Sequence, residues 1–388
     1  MAYRYVVLGA GRQGTAAAYD LAQHGEADSV VIADQDEGAA RDAARRVNEL
    51  LSCQRLQGAT VDVSNHAALV RLLRGVDAVI SAVPYRFNPG IARAAIEAGA
   101  HMCDLGGNTN VVWQELALDA AARDAGISII PDCGLMPGMG NTLAVYGMGQ
   151  MAHPQHVRIF VGGLPLHPRP PFNYLLTFNI GGLSNEYAGN AIYLRDGQIA
   201  EVPVFSDLET VDFPPPVGRC EAFVTSGGTS TCPWTFQGKL LTYEEKTVRY
   251  PGHCLAFKAF ADLGLLAEDE IRVGDTSVKP REVFHTLLET RIVLPQDQDV
   301  IVLRVLCSGE DEVGTHVQTK LEVIDVADTM TGFRAMERMT GFPAAIVAHM
   351  MASGQTPHGA VALELAVGGS AFVAEWRRRA LPLSHSLF

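Results

Sequence analysis

The chain has 388 residues, of which 48% are hydrophobic, 19% charged and 7% aromatic, enough apolar material for a large core and two domains of ordinary size. That balance excludes a disordered or low-complexity chain. Thirty Lys and Arg against 43 Asp and Glu leave a net charge of −13, which argues against a dedicated nucleic-acid or anionic-membrane surface. No apolar run approaches the roughly 20 residues a bilayer span needs, so no membrane association is expected. The opening residues Met1-Ala2-Tyr3-Arg4-Tyr5 run directly into strand-like sequence, so no signal peptide is expected. The seven cysteines, at 53, 103, 133, 220, 232, 254 and 307, form no CxxC pair. A disulfide framework and structural zinc are therefore not expected, and a cytoplasmic location is.

Up to residue 133, strand-like and helix-like segments alternate. Strands are predicted at Tyr3–Leu8, Ser29–Ala33, Ala59–Val63, Asp77–Val83, His101–Leu105 and Ile127–Pro131. Between them lie alanine-rich helical stretches at Thr15–His24, Glu37–Leu51, His66–Leu73, Pro89–Ala98 and Val112–Asp124. Near-continuous apolar strands alternating with helices specify a Rossmann-type, doubly wound parallel α/β sheet. After Pro131, glycine and proline clusters appear, and strands such as Thr315–Asp325 alternate with period two. Asp196-Gly197 offers hairpin chemistry, and helices are expected at Asn141–Met151, Leu255–Leu265 and Arg281–Thr290. This second part reads as an inserted α+β substrate and oligomerisation domain with an open sheet solvated on one face. The helical segment Arg334–Ala352 is expected to return to the first domain. The predicted division is a dinucleotide-binding domain over 1–133, completed by 332–388, and a substrate domain over 134–331.

Gly9-Ala10-Gly11-Arg12-Gln13-Gly14 follows the first strand and opens the first helix, with Asp34 at the end of the second strand. In that context the glycines permit a tight turn, a close approach to pyrophosphate and close helix–strand packing. The helix N-terminus supplies unpaired N–H groups to the phosphates. A carboxylate at Asp34 accepts ribose hydroxyls and repels a 2′-phosphate, and Gln35 and Asp36 supply no compensating cation. NAD is therefore favoured over NADP. Asp62 and Val63, at the end of the third predicted strand, reach toward the adenine edge, although Asp62 reads equally as a strand-ending cap. Ala82-Val83-Pro84 ends the fourth strand, and Asp104 and Gly106 lie beyond the fifth, all at the sheet's carboxyl edge where the cofactor passes.

From Tyr85-Arg86-Phe87-Asn88 onward the sequence resembles the saccharopine dehydrogenase superfamily. The resemblance is carried by Asp104-Leu105-Gly106-Gly107, Pro131-Asp132-Cys133-Gly134, Val161-Gly162-Gly163-Leu164-Pro165, Thr225-Ser226-Gly227-Gly228-Thr229-Ser230-Thr231 and Lys246-Thr247-Val248-Arg249-Tyr250-Pro251-Gly252-His253. Within the family, the run from Gly162 to Tyr250 is most similar to the branch that oxidatively deaminates the ε-amine of L-lysine with NAD. The resemblance implies substrate between the two domains, with Tyr85, Thr247 and Arg249 approaching it, and self-association into a homo-oligomer.

Amine oxidation needs a cofactor face, a neutral amine, an anchor for the substrate's far end and a water. Arg249 is the expected anchor, because its planar fork grips a carboxylate with two parallel bonds; a salt bridge to Glu244 or Glu245 is the plainer alternative. Thr225 and Ser226 are candidates for hydrogen bonds to substrate, and Tyr174 for the pocket wall. Tyr85, Asp104 and His253 are the candidates for proton handling, with none standing out as the base; Asp104 reads alternatively as a backbone tether and His253 as a helix cap. His153 and His156 form an HxxH without a third ligand, so no metal is expected. Arg377-Arg378-Arg379 reads as a solvated helix face.

Overall fold

A computed structural model describes residues 2–294 and 296–388; Met1 and Pro295, which fall within the two predicted domains, lie outside the described residues. The strands are β1 (Tyr3–Leu8), β2 (Ala27–Asp34), β3 (Leu56–Thr60), β4 (Ala78–Ser81), β5 (His101–Asp104), β6 (Ser128–Ile130), β7 (His153–Pro165), β8 (Asn190–Arg195), β9 (Gln198–Pro203), β10 (Glu209–Asp212), β11 (Arg219–Phe223), β12 (Thr242–Arg249), β13 (Ile271–Val273), β14 (Thr276–Val278), β15 (Asp299–Glu310), β16 (His316–Val326), β17 (Gly359–Ala360) and β18 (Ser384–Leu387).

The first sheet is parallel throughout, in the order β17-β6-β5-β4-β1-β2-β3. The order reverses between β1 and β4, the point at which doubly wound sheets bind ligands beyond their carboxyl ends. Val6, Val7 and Leu8 are fully buried, as a strand covered by helices on both faces requires. The second sheet is mixed, in the order β10-β11-β12-β7-β15-β16-β18, with β8 paired to β12 and to β9. Asp196 and Gly197 both take positive φ and close the β8–β9 hairpin. This sheet is not solvated on one face over its centre. Val300, Ile301, Val302 and Leu303 are all buried, because the segment from Val211 to Val217 and Tyr250 cover the face opposite the helices.

One apolar core joins the two sheets, running from β1 through helices Arg12–His24 and Ala335–Ala352 to β7 and β15. The two helices approach closely because Gly341 faces Gln13 and Ala17; a Cβ at Gly341 would lie 2.7 Å from the Gln13 carbonyl oxygen. Residues 332–388 do not all return to the first sheet, since β18 pairs with β16 in the second. Nor is Val112–Asp124 one helix. Helix Thr109–Leu116 ends, and Asp119–Asp124 starts anew where the Asp119 carboxylate accepts the Ala360 N–H at 3.0 Å and ties it to β17.

Of the Arg377–Arg379 run, Arg377 and Arg378 are exposed as expected of a solvated face, and Arg379 is not. Arg379 is buried, donates from Nε to both Asp20 carboxylate oxygens at 2.9 Å, and reaches Glu375 at 2.6 Å. It pins the C-terminal helix Gly369–Arg378 to the first helix of the chain. Removing one partner of a buried pair strands the other charge, so Arg379→Ala is expected to cost about 3–5 kcal/mol in urea denaturation. The double variant Asp20→Leu/Arg379→Met is expected to recover most of that loss, which a simple packing defect would not.

Candidate active site at the junction of the two sheets

The cofactor end is built by β1, β2 and β4. Gly9 takes φ +104°, and a Cβ there would lie 2.6 Å from the Ala82 carbonyl oxygen, so only glycine fits against the end of β4. A Cβ on Gly14 would lie 2.0 Å from the Gly9 carbonyl oxygen, while Gly11 has nothing within 4 Å and faces open space. Helix Arg12–His24 has no side-chain cap and no acidic residue in its first turn. Its N-terminal N–H groups are thus left to a ligand, which is what a pyrophosphate requires. Arg12 stands exposed at that terminus, 4.0 Å from Glu337, and Gln13 is half-buried beside it.

Asp34 accepts the Ala10 N–H on Oδ2 at 2.8 Å and the Asp36 N–H on Oδ1 at 3.0 Å. Each oxygen keeps a lone pair, so the carboxylate fits two ribose hydroxyls. Asp62 does not end a strand: β3 stops at Thr60, and Asp62 lies exposed in a turn, accepting the Ser64 N–H at 2.9 Å and hydroxyl at 2.7 Å. Those bonds hold its carboxyl below the usual range. Val63, Ala82 and Val83 are half-buried, and Pro84 is exposed at the sheet's carboxyl edge.

Beyond β4, Tyr85 lies over Gly107, where a Cβ would stand 3.1 Å from its ring. Its hydroxyl accepts from Asn185 Nδ2 at 3.4 Å, linking the first domain to the last turn of helix Ile180–Glu186. On the other side, Glu245, Thr247 and Arg249 alternate along β12 and so share the sheet face that carries Val161 and Leu303, the face turned toward the first sheet. Thr225 and Thr247 bond each other at 2.6 Å, and the Ser226 hydroxyl donates to the Asn185 carbonyl at 2.9 Å.

Arg249 is 3% exposed. It does not pair with Glu244, which is held by Arg158 at 2.7 Å. Its Nε donates to the Tyr187 hydroxyl at 3.3 Å, Nη1 to the Val248 carbonyl at 3.0 Å and Nη2 to Glu186 at 3.4 Å, while the guanidinium stacks 5.1 Å over Tyr174. Among the described residues three of its five donors are therefore used, leaving two for a ligand. Glu245 is buried with Oε1 unpartnered, and desolvation with Glu186 nearby pushes its carboxyl up to about 8.

His253 is not open to substrate. Its Nε2 shares a hydrogen with the Tyr187 hydroxyl at 2.8 Å, its Nδ1 lies 3.4 Å from the Phe172 carbonyl, and its ring stacks on Phe257 at 4.0 Å. Burial and the Arg249 charge hold it neutral, so it orients Tyr187 beneath Arg249 rather than titrating. Tyr174 is 3% exposed with its hydroxyl unpartnered, forming the wall under Arg249.

Asp104 is also enclosed. Its Oδ1 accepts the Gly106 N–H at 2.7 Å and the Asp132 N–H at 3.2 Å, so it ties two loops together behind Tyr85. Residues that sequence reasoning missed surround it: Glu115 and Asp132 converge on it, and Ser230 bonds Asp132 from the second domain. Sequence spacing carries no signal for such contacts, which join loops far apart in the chain. Cys133 is buried and its thiol pushed up by desolvation, which makes it inert.

Desolvation raises Asp104, Glu115 and Asp132 alike. Acids with raised folded-state values hold protons that the unfolded chain releases, so their contribution is full below about pH 4 and is lost as pH climbs through the folded values. Stability is therefore expected to fall as pH rises from 5 to 9, by up to about 1.4 kcal/mol per pH unit for each proton involved. Urea midpoints across that range check it, and Glu115→Gln flattens the slope.

The comparisons agree with this architecture. Residues 5–130 match the family model described as the saccharopine dehydrogenase NADP binding domain, and residues 134–378 match the saccharopine dehydrogenase C-terminal domain. The chain belongs to the saccharopine dehydrogenase family. Within this family, the NADP(+)-dependent, L-glutamate-forming saccharopine dehydrogenase of Pyricularia oryzae is 26% identical over 247 residues, covering 61% of this chain and 54% of its own length. The mitochondrial alpha-aminoadipic semialdehyde synthase of Rattus norvegicus is 22% identical over 355 residues, covering 74% of this chain and 38% of its own. The chain thus spans about half or less of the curated relatives it matches.

Among solved structures, the apo saccharopine dehydrogenase (L-Glu forming) of Saccharomyces cerevisiae superposes over the full length of both chains with a TM-score of 0.79 at 18% identity. The homospermidine synthase of Legionella pneumophila in complex with NAD gives a TM-score of 0.66 at 11% identity, covering this chain fully and 92% of its own. These two establish the shared fold. Among the described residues no group of three or more His, Cys, Asp or Glu is placed to hold a metal, and no helix is long and apolar enough to cross a membrane.

Proposed function

We propose that this family member is an NAD-dependent C–N oxidoreductase that oxidises the ε-amine of L-lysine to 2-aminoadipate 6-semialdehyde, with its dinucleotide on residues 5–130 and its substrate at the junction with the second sheet. The observation that carries the reading is Arg249, among the described residues the single buried guanidinium at that junction, with two donors unspent. One anchor suits one carboxylate. A saccharopine-like secondary amine brings more, and Arg281, which bonds Asn185 beside Tyr85, is committed to Glu268 and the Leu266 carbonyl.

NAD, when bound, accepts a hydride. Gly9, Gly11 and Gly14 would hold its pyrophosphate at the helix terminus, and Asp34 its ribose hydroxyls. Asp34 and Asp36 together disfavour a 2′-phosphate. The family model's NADP name and the NADP(+) relatives make NADP the competing cofactor.

In balance, the amine loses a proton, Cε loses a hydride, and water adds to the resulting iminium and expels ammonium, leaving the aldehyde. Free lysine amine titrates near 10.4, so roughly one part in a few thousand is neutral at pH 7. The chain's task is therefore to desolvate the amine while anchoring the other end. Arg249, backed by Tyr174 and Tyr187, holds the carboxylate; Thr225, Ser226 and Thr247 offer hydroxyls to the α-amino end. Glu186, 3.4 Å from Arg249, lies at the carboxylate end, so Tyr85 at the sheet's carboxyl edge orients the amine and solvent water takes its proton.

A second reading is favoured by the curated relatives: formation or cleavage of a secondary amine, as in saccharopine. An amine panel separates the two. NADH formed from lysine and NAD alone supports the first; oxidation of saccharopine, or reduced-cofactor consumption that requires glutamate together with 2-aminoadipate 6-semialdehyde, with no turnover of lysine alone, supports the second and overturns the first.

A further inference from the structure

Three carboxyls converge beneath the Gly106–Gly107 loop. Asp104, Glu115 and Asp132 are 1%, 0% and 2% exposed. Asp104 ends β5, Asp132 follows β6 with φ +61°, and Glu115 lies on the helix between them. All three sit at the carboxyl edge of the first sheet. A Cβ on Gly106 would lie 2.5 Å from Asp132 Oδ1, so loop and cluster are in contact, and Gly107 carries Tyr85 on its outer side.

The donors supplied to this cluster are the Gly106 and Asp132 N–H groups, the Gly107 N–H and the Ser230 hydroxyl. Among the described residues four oxygens remain without any N–H or hydroxyl donor: Asp104 Oδ2, both Glu115 oxygens and Asp132 Oδ1. Among the described residues no Lys or Arg forms a hydrogen bond or ion pair with the three acids; Glu364 faces Asp132, and the Cys133 thiol faces Asp104 and Asp132. Three bare carboxylates so placed would repel one another in a dry interior with nothing to offset them. Protons must therefore fill the gap, and the Glu115 carboxyl, directed at Asp104, is the natural donor.

We propose that Asp104, Glu115 and Asp132 form one proton-holding cluster that retains two protons at neutral pH and presents a single negative charge, carried on Asp104, to the nicotinamide end of the site. Glu115 is a positioning residue: its proton holds Asp104 Oδ2, and through Asp104 the Gly106–Gly107 loop under Tyr85. The charge favours the cationic ring of oxidised cofactor over the neutral reduced ring. This rests on the nicotinamide-cofactor reading, but on no amine substrate.

Two measurements on the full chain test it. In infrared spectra at pH 8, the cluster gives the C=O stretch of a buried protonated acid, reduced in Glu115→Gln and again in Asp132→Asn. Titration of NAD and NADH separately then gives their affinity ratio. Asp104→Asn is expected to shift that ratio toward NADH by about tenfold, the equivalent of one pKa unit, whereas Glu115→Gln, which still donates to Asp104, leaves it unchanged. Absence of the protonated-acid band in the wild type overturns the proposal. So does a ratio unmoved by Asp104→Asn, or one moved equally by Glu115→Gln. Loss of both cofactors' binding in the wild type instead sinks the cofactor reading, and failure of lysine turnover alone touches neither measurement.

Discussion

Arg249→Lys is expected to raise the KM for lysine by roughly 30- to 150-fold, with a smaller change in kcat. A lysine ammonium in this position offers a point charge in place of two parallel donors, and loses the stacking over Tyr174. One charge-assisted hydrogen bond to a buried anion is worth about 2–3 kcal/mol, which is that factor in affinity. The anchored carboxylate lies far from Cε, so the loss falls on binding common to ground and transition states and appears in KM. Tyr187 and His253 would remain bonded to each other, so the variant is expected to fold. Steady-state kinetics with lysine varied at saturating NAD makes the check, and an unchanged KM moves the anchor elsewhere.

Asp34→Ala is expected to weaken NAD binding by about 150-fold or more and to narrow the preference for NAD over NADP. Two hydrogen bonds from ribose hydroxyls to a charged acceptor, at about 1.5 kcal/mol or more each, account for the loss. Asp34 is half-buried at the edge of β2 and its lost backbone bonds, to Ala10 and Asp36, are local, so the thermal midpoint should move little. Cofactor titration of both dinucleotides checks this. Equal NAD affinity in wild type and variant would remove Asp34 from the cofactor site.

The first sheet was legible because its physics is local. Six apolar runs separated by alanine-rich helices and a glycine turn before Asp34 leave few alternatives, and β1 and helix Glu37–Leu51 fall where the pattern puts them. Asp62 was misplaced because Leu56-Gln57-Gly58 looks too polar for a strand, yet it pairs with β2 through Val30 to Ile32. The arginine run misled at Arg379 alone, for a related reason: the burial of Arg379 depends on Asp20, 359 residues away. Within the site, Arg249, Thr247, Tyr174 and Tyr85 carry chemistry that their residue types announce. Glu186, Glu115 and Asp132 do not, since an acid in a short helix or after a strand is ordinary until tertiary packing strips it of water. His253 looked like a base for the converse reason, its ring being titratable in isolation and satisfied in the fold.

The most direct test of hydride removal from the lysine side chain uses L-lysine carrying deuterium on both Cε hydrogens, incubated with NAD and the purified chain. One deuterium per turnover is expected on C4 of the reduced nicotinamide, with aldehyde and ammonium formed in equal amounts. Reduced cofactor free of deuterium, or labelled lysine recovered unchanged while unlabelled saccharopine is oxidised, would contradict the account.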